Sequence, residues 1–234
     1  MIINKEIKIA KFIRRPNRFQ GFVELNGEEI MVHVPNTGRC REILTPGTEV
    51  ILRKEDNPQR KTSFDLIAGY KGDKLINIDS QIPNKVVEEA LKEGRIYALS
   101  KYKHVNREKT FGNSRFDFKL SISDIEIPEQ EYYLEVKGVT YETDGLTKFP
   151  DAPTERGTKH LLELIEVKKS GRGAGVIFLI QMDNVEAFTP HDSMDKVFGD
   201  ALRKAYNNGV DVFAYSCRVE HNLIRLDREV KVIL

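Results

Sequence analysis

Two stretches of the chain, Ser114-Arg-Phe-Asp-Phe-Lys-Leu120 and Tyr132-Tyr-Leu-Glu-Val-Lys-Gly138, carry apolar and polar residues at a period of two. Such a period belongs to an extended strand, whose successive side chains point to opposite faces. The first stretch sends Phe116, Phe118 and Leu120 one way and Arg115, Asp117 and Lys119 the other. The second sends Leu134 and Val136 one way and Glu135 and Lys137 the other. The short, proline-containing connection from Asp124 to Gln130 suits an antiparallel hairpin. In such a hairpin Asp117 lies opposite or diagonal to Glu135 and Lys137, at roughly 5–8 Å between neighbouring positions. One sheet face then carries an Asp, a Glu and a Lys side by side.

That trio has a chemical meaning. Two carboxylates, Asp117 and Glu135, with the main-chain carbonyl of Val136 suit a hard divalent cation such as Mg²⁺ or Mn²⁺. A lysine beside the cation, Lys137, orients water and offsets charge building on a phosphate, the requirements of metal-assisted phosphodiester hydrolysis. The same residues also suit an exposed sheet face laced by cross-strand ion pairs. Spacing alone leaves both readings open.

A chain of 234 residues has room for one or two domains. Its formal net charge of +1 gives no bulk attraction to nucleic acid or membrane. The charge is unevenly placed: residues 1–80 hold 14 Lys/Arg against 11 Asp/Glu. The two cysteines, Cys40 and Cys217, stand far apart without a C-x-x-C, so reduced thiols in a cytoplasm are expected. No apolar run is long enough to span a bilayer, and the start lacks a signal-peptide pattern.

The first eighty residues read as short strands: Ile7 to Ile13, Phe19 to Leu25, Glu28 to Val34, Glu49 to Arg53, Phe64 to Tyr70 and Leu75 to Ile78. Asn26-Gly27 between two of them is a hairpin turn signal. Close-spaced strands in this number predict a small barrel of the OB kind. Basic residues gather at its connections: Arg14, Arg15 and Arg18 beside Phe19; Arg39 and Arg41; Arg53, Lys54, Arg60 and Lys61. Arginine interleaved with an aromatic suits phosphate contact and base stacking on single strands. Pro35-Asn-Thr-Gly-Arg-Cys-Arg41 could form a backbone nest for phosphate or a plain turn.

Asp79 to Pro83 reads as the junction. Asn84 is placed to cap a helix carrying Val86, Val87, Ala90 and Leu91, with Glu88 and Glu89 as candidate third carboxylates. After Pro150-Asp-Ala-Pro-Thr154 a helix is predicted from Glu155 to about Lys169. Its polar stripe is Arg156, Lys159, His160 and Glu163, in which Arg156 and Lys159 could hold phosphates at a cleft. Gly171-Arg-Gly-Ala-Gly175 follows a helix and precedes a strand, the reverse of the dinucleotide-binding order, so a flexible loop is expected. The apolar run Gly175 to Met182 reads as a buried strand. A helix through Met194, Phe198, Ala201, Leu202 and Tyr206 follows, and then strands from Val210 onward. The alternation predicts an α/β domain on a mixed sheet. No G-x-S-x-G is present, and the five histidines are scattered, so nothing favours a serine or cysteine nucleophile.

Ser114-Arg-Phe-Asp-Phe, Leu134-Glu-Val-Lys-Gly-Val-Thr140, Phe149-Pro-Asp-Ala-Pro-Thr-Glu-Arg-Gly-x-Lys-His-Leu-x-Glu163 and Pro35-Asn-Thr-Gly-Arg39 together resemble the sugar fermentation stimulation protein family, over essentially the whole chain. The resemblance implies an N-terminal OB-like domain, residues 1–81, and a C-terminal PD-(D/E)XK nuclease-like domain, residues 82–234. It places the nuclease motif's Asp on Asp117 and its (D/E)-x-K on Glu135 and Lys137, although Phe116 stands where the motif has proline. The pattern Asn-x-x-x-x-Glu-Ala on Asn84 to Ala90 favours Glu89 as a further metal ligand. The implied partner is nucleic acid, DNA foremost, bound with weak sequence specificity through Arg14, Arg15, Arg18, Phe19, Arg39, Arg115, Arg156 and Lys159. Family members are associated with non-specific DNA binding and with regulation of sugar, notably maltose, metabolism. A regulator that keeps the nuclease fold without cleavage is the alternative expectation.

Overall fold

The computed structural model describes residues 1–234. Six strands, β1 (Ile7–Arg14), β2 (Gln20–Leu25), β3 (Glu28–His33), β4 (Glu49–Lys54), β5 (Phe64–Lys71) and β6 (Lys74–Asn77), form a sheet in the order β3-β2-β1-β4-β5-β6. A parallel pairing of His33 with Asp65 joins β3 to β5 and closes the first five into a barrel. Closure removes the exposed strand edges that a small sheet would otherwise present. Alternating residues, among them Phe12, Val23, Val32, Leu52 and Leu66, fill the interior. Asn26 and Gly27 both take positive φ, 54° and 84°, which a two-residue hairpin turn of this twist requires.

The C-terminal elements are α1 (Ile82–Lys92), β7 (His104–Phe111), β8 (Ser114–Ser121), β9 (Glu131–Val139), β10 (Tyr141–Thr143), β11 (Leu146–Phe149), α2 (Glu155–Lys169), β12 (Gly173–Ile180), β13 (Ala187–Pro190), α3 (Lys196–Asn207), β14 (Asp211–Glu220), β15 (Leu223–Glu229) and β16 (Lys231–Val232). The main sheet runs β15-β14-β12-β9-β8-β7 and a smaller one β10-β11-β13-β16. β12 lies parallel to both β9 and β14, while the flanking pairs are antiparallel. This is the expected mixed sheet. Val86, Val87 and Ala90 of α1 share one core with Phe118, Leu134 and Ile177. On the opposite face Leu161 and Leu164 of α2, and Phe198 and Leu202 of α3, share another with Val176 and Phe178.

Three local expectations are corrected. Asn84 does not cap α1: Gln81 precedes the helix, and Asn84 lies inside its first turn. Gly173 to Gly175 belong to β12 and not to a loop, because a Cβ at either glycine would collide with the Tyr132 ring or hydroxyl. Phe116 does not share a core with Phe118 and Leu120. It packs edge-on against Tyr133 and His160, on the α2 side. β7 had no sequence signal, since as the sheet's edge it carries mostly exposed, charged residues.

Paired amides strap the barrel's last strand to the sheet. Gln181 Nε2 donates to the Asn77 carbonyl and to Asn77 Oδ1, at 3.1 and 2.8 Å, and the Asn77 N–H donates to the Gln181 carbonyl. Gly138 makes room for this amide, because a Cβ there would meet Gln181 Oε1 and Pro83.

Candidate metal centre and basic groove

The β8–β9 ladder pairs Phe118 with Leu134 and ends there. Beyond that point a side chain takes over from the ladder: Asp117 Oδ2 accepts the Val136 N–H at 2.7 Å. Asp117 Oδ1 accepts from Asn84 Nδ2 at 2.7 Å. Glu135 stands beside it, only 3% exposed. Glu135 Oε1 accepts from Lys137 Nζ at 2.6 Å and pairs with His160 Nδ1 at 2.5 Å. Its other oxygen, Oε2, is buried without a partner. The structure thus brings Asp117, Glu135, Val136 and Lys137 together, as the hairpin predicts.

Electrostatics separate the two carboxylates. Burial, and then the Glu135 charge, hold the Asp117 carboxyl above its ordinary range despite the hydrogen bonds from Val136 and Asn84. Burial also pushes Glu135 up, but the His160 hydrogen bond and the Lys137 charge outweigh it and hold Glu135 below its ordinary range. A buried carboxylate oxygen kept ionised and unbonded is what a bound cation would satisfy. No group of three or more His, Cys, Asp and Glu side chains converges here. Two carboxylates still fit Mg²⁺, which keeps several waters and takes few protein ligands.

Glu89 is not part of this centre. It bonds the chain's N-terminal ammonium at 2.8 Å and Arg95 at 3.3 Å. Five residues along an α-helix turn a side chain by about 140° and carry it about 7.5 Å away, so Asn84 and Glu89 cannot serve one site. The α1 contribution is Asn84. Sequence reading also passed over His160 as a partner of Glu135. Its signal was a histidine inside a polar stripe, and the helix turns that histidine inward to 5% exposure.

The basic residues divide. Arg115, Arg156 and Lys159 come together around a groove between the β7–β8 turn and the start of α2, with His160 at its base and the buried, unbonded Ser114 hydroxyl beside it. Arg18, Phe19 and Arg39 are exposed on barrel loops. Arg14 is exposed but lies over the Phe22 ring at 3.9 Å and pairs with Glu29. Arg15 is corrected to a structural role: its guanidinium donates to the carbonyls of Arg18, Asn36, Gly38 and Arg39 at 2.6–2.9 Å. Arg53 and Arg60 are likewise engaged by Glu55 and Asp65.

The chain matches two family models. The SfsA N-terminal OB domain covers residues 13–78, and the sugar fermentation stimulation protein RE domain covers residues 81–223. It is similar to sugar fermentation stimulation protein homologs of Clostridium tetani, 67% identical, and Clostridium acetobutylicum, 62% identical, each over 100% of both chains. Among solved structures it is similar to Pyrococcus furiosus SfsA in complex with Ca²⁺, with a TM-score of 0.88 and 26% identity over 100% of both chains. The cysteines are free and buried, and no helix is long and apolar enough to cross a membrane. With both domain models and full-length relatives in agreement, the chain belongs to the sugar fermentation stimulation protein (SfsA) family.

Proposed function

We propose that this protein is a nucleic-acid phosphodiesterase of weak sequence preference, dependent on Mg²⁺ or Mn²⁺. The observation that carries the proposal is the buried, unbonded Glu135 Oε2 beside Asp117. Asp117, Glu135 and the Val136 carbonyl would hold the cation. The Pyrococcus furiosus relative, solved in complex with Ca²⁺, supports a divalent-cation site in this fold. When bound, the cation polarises a phosphoryl oxygen and acidifies a coordinated water. His160 and Lys137 fix Glu135, and Lys137 Nζ stands ready to orient water and offset charge on the phosphate. Arg115, Arg156 and Lys159 would grip backbone phosphates in the groove next to His160, with Arg14, Arg18, Phe19 and Arg39 extending the contact across the barrel. Contacts of this kind read charge and not bases, so binding weakens with salt.

A second reading is a DNA-binding regulator of sugar metabolism that uses the same groove without cleavage. It is favoured by the ion pairs that already occupy Glu135 Oε1. Incubation with single- and double-stranded DNA and RNA in Mg²⁺, Mn²⁺ or EDTA separates the two. Metal-dependent cleavage, lost in Asp117→Ala and Lys137→Ala with binding retained, is the expected result. Binding with no cleavage under any condition would leave the regulator.

A further inference from the structure

Two conspicuous sequence motifs, Pro35-Asn-Thr-Gly-Arg39 of the barrel and Phe149-Pro-Asp-Ala-Pro-Thr154 of the C-terminal domain, have no part in the cation site, yet they meet in space. A Cβ on Gly38 would collide with the Asp151 carboxylate and with Asn36 Oδ1. Beside this contact lies a cavity of about 220 Å³ between the two domains. Its lining includes Asn84 and Val136, the two groups that hold Asp117. The cavity therefore opens directly beside the candidate metal centre.

Its walls are fixed before any ligand arrives. The Arg15 guanidinium clamps the carbonyls of the barrel loop, Asn36 Nδ2 donates to the Ile78 carbonyl at 2.6 Å, and the Gly38 N–H donates to Asn36 Oδ1 at 2.6 Å. On the other side the His191 ring bonds the Pro150 carbonyl at 3.0 Å and backs the Tyr141 ring at 4.8 Å. The Tyr141 hydroxyl and the Lys148 ammonium border the cavity, as does the Asp151 carboxylate, which accepts only its own backbone N–H and lies near the charges of His191 and Arg15.

The volume falls below the 300–1,000 Å³ typical of drug-sized ligands, so one ring system fits and a dinucleotide does not. The cavity offers an acceptor at Asp151, donors at the Lys148 ammonium and the Tyr141 hydroxyl, and the aromatic ring of Tyr141. A phosphate would meet the Asp151 charge. A neutral heterocycle with both N–H and C=O or ring-nitrogen edges suits this set. We propose that the interdomain cavity receives the nucleobase adjoining the cleaved phosphate, withdrawn from its stack. This rests on the phosphodiesterase reading and adds to it a substrate class: strands whose base is unpaired or easily extruded, since extrusion from a duplex opposes binding.

The test places 2-aminopurine, whose fluorescence rises on unstacking, at successive positions of a short single strand. Each strand is bound to the full-length protein in Ca²⁺, with the strand verified intact. The expected result is a several-fold rise at one position and not at its neighbours. Asp151→Asn and Lys148→Ala should diminish that rise at least two-fold, and Gly38→Leu, whose side chain must displace the Asp151 carboxylate, should abolish it. Affinity for Mn²⁺ should stay unchanged in all three. If Gly38→Leu does not fold, the other two variants carry the test. A flat profile in a wild-type protein that binds and cleaves overturns the cavity assignment alone, as does an unchanged rise in all folded variants. A wild type that binds no strand with any cation overturns the phosphodiesterase reading and the cavity assignment together.

Discussion

Burial presses on both Asp117 and Glu135, and their neighbours decide the outcome in opposite senses. Asp117 is held above its ordinary value of about 3.9 by desolvation and by Glu135. Its ionised form therefore weakens the metal-free fold at neutral pH, and the penalty fades as pH falls through the raised pKa. Glu135 is held below its ordinary value of about 4.3, since His160 and Lys137 overcome burial. Its stabilisation is present above pH 4.3 and is lost as pH falls through the lowered pKa. Thermal unfolding in EDTA should show this directly. Between pH 7 and 4 the stability of wild type relative to Asp117→Asn should rise. Below about pH 4.3 its stability relative to Glu135→Gln should fall. Parallel curves would mean that neither carboxylate is perturbed as the geometry implies. At this scale period two brought Asp117, Glu135 and Lys137 together but misplaced Phe116, which turns to the α2 side. The sequence was not legible for Arg15, whose carbonyl partners at Asn36 and Gly38 lie more than twenty positions away. Nothing local marks that arginine as a clamp.

Elements were read well where caps and period agree. α2 spans Glu155–Lys169, and Thr154 caps it by accepting the Gly157 N–H at 3.1 Å. Thr154→Ala should cost about 1 kcal/mol of stability, measurable by urea denaturation. The glycine-rich start of β12 was misread because glycine signals turns when taken alone. Here it serves packing, since Gly173 and Gly175 give way to Tyr132, whose hydroxyl donates to Asp211 at 2.8 Å. Gly175→Ala should destabilise by about 1–3 kcal/mol through overpacking. Adding Tyr132→Phe, which removes the obstructing hydroxyl, should recover part of that loss, and a double-mutant cycle measures it. Strict additivity would show that the two residues do not collide. β7 escaped notice for a different reason: an edge strand with solvent on its outer side needs no apolar alternation.

Over the whole molecule, the barrel and the mixed sheet were legible from strand spacing and from the strand–helix alternation. How they meet was not. Gln181, Asn77, Gly38 and Asp151 come from four distant segments, and only the folded chain shows that they build one seam. That seam sorts the basic residues into two classes with different expected behaviour. Arg18→Ala and Arg39→Ala, exposed on the barrel loops, should weaken DNA binding and each lower the salt slope by about 1. Arg15→Ala should instead lower the melting temperature, because four carbonyls lose their common donor. A titration of DNA affinity against salt, paired with thermal melts, distinguishes the classes.

The central claim, a divalent cation held by Asp117 and Glu135, is tested most directly by calorimetric titration of Mn²⁺ into the metal-free protein. Wild type and Glu89→Gln should bind about one ion with equal affinity, and Glu135→Gln should lose at least ten-fold. A Glu135→Gln protein that binds Mn²⁺ as wild type does would contradict the account.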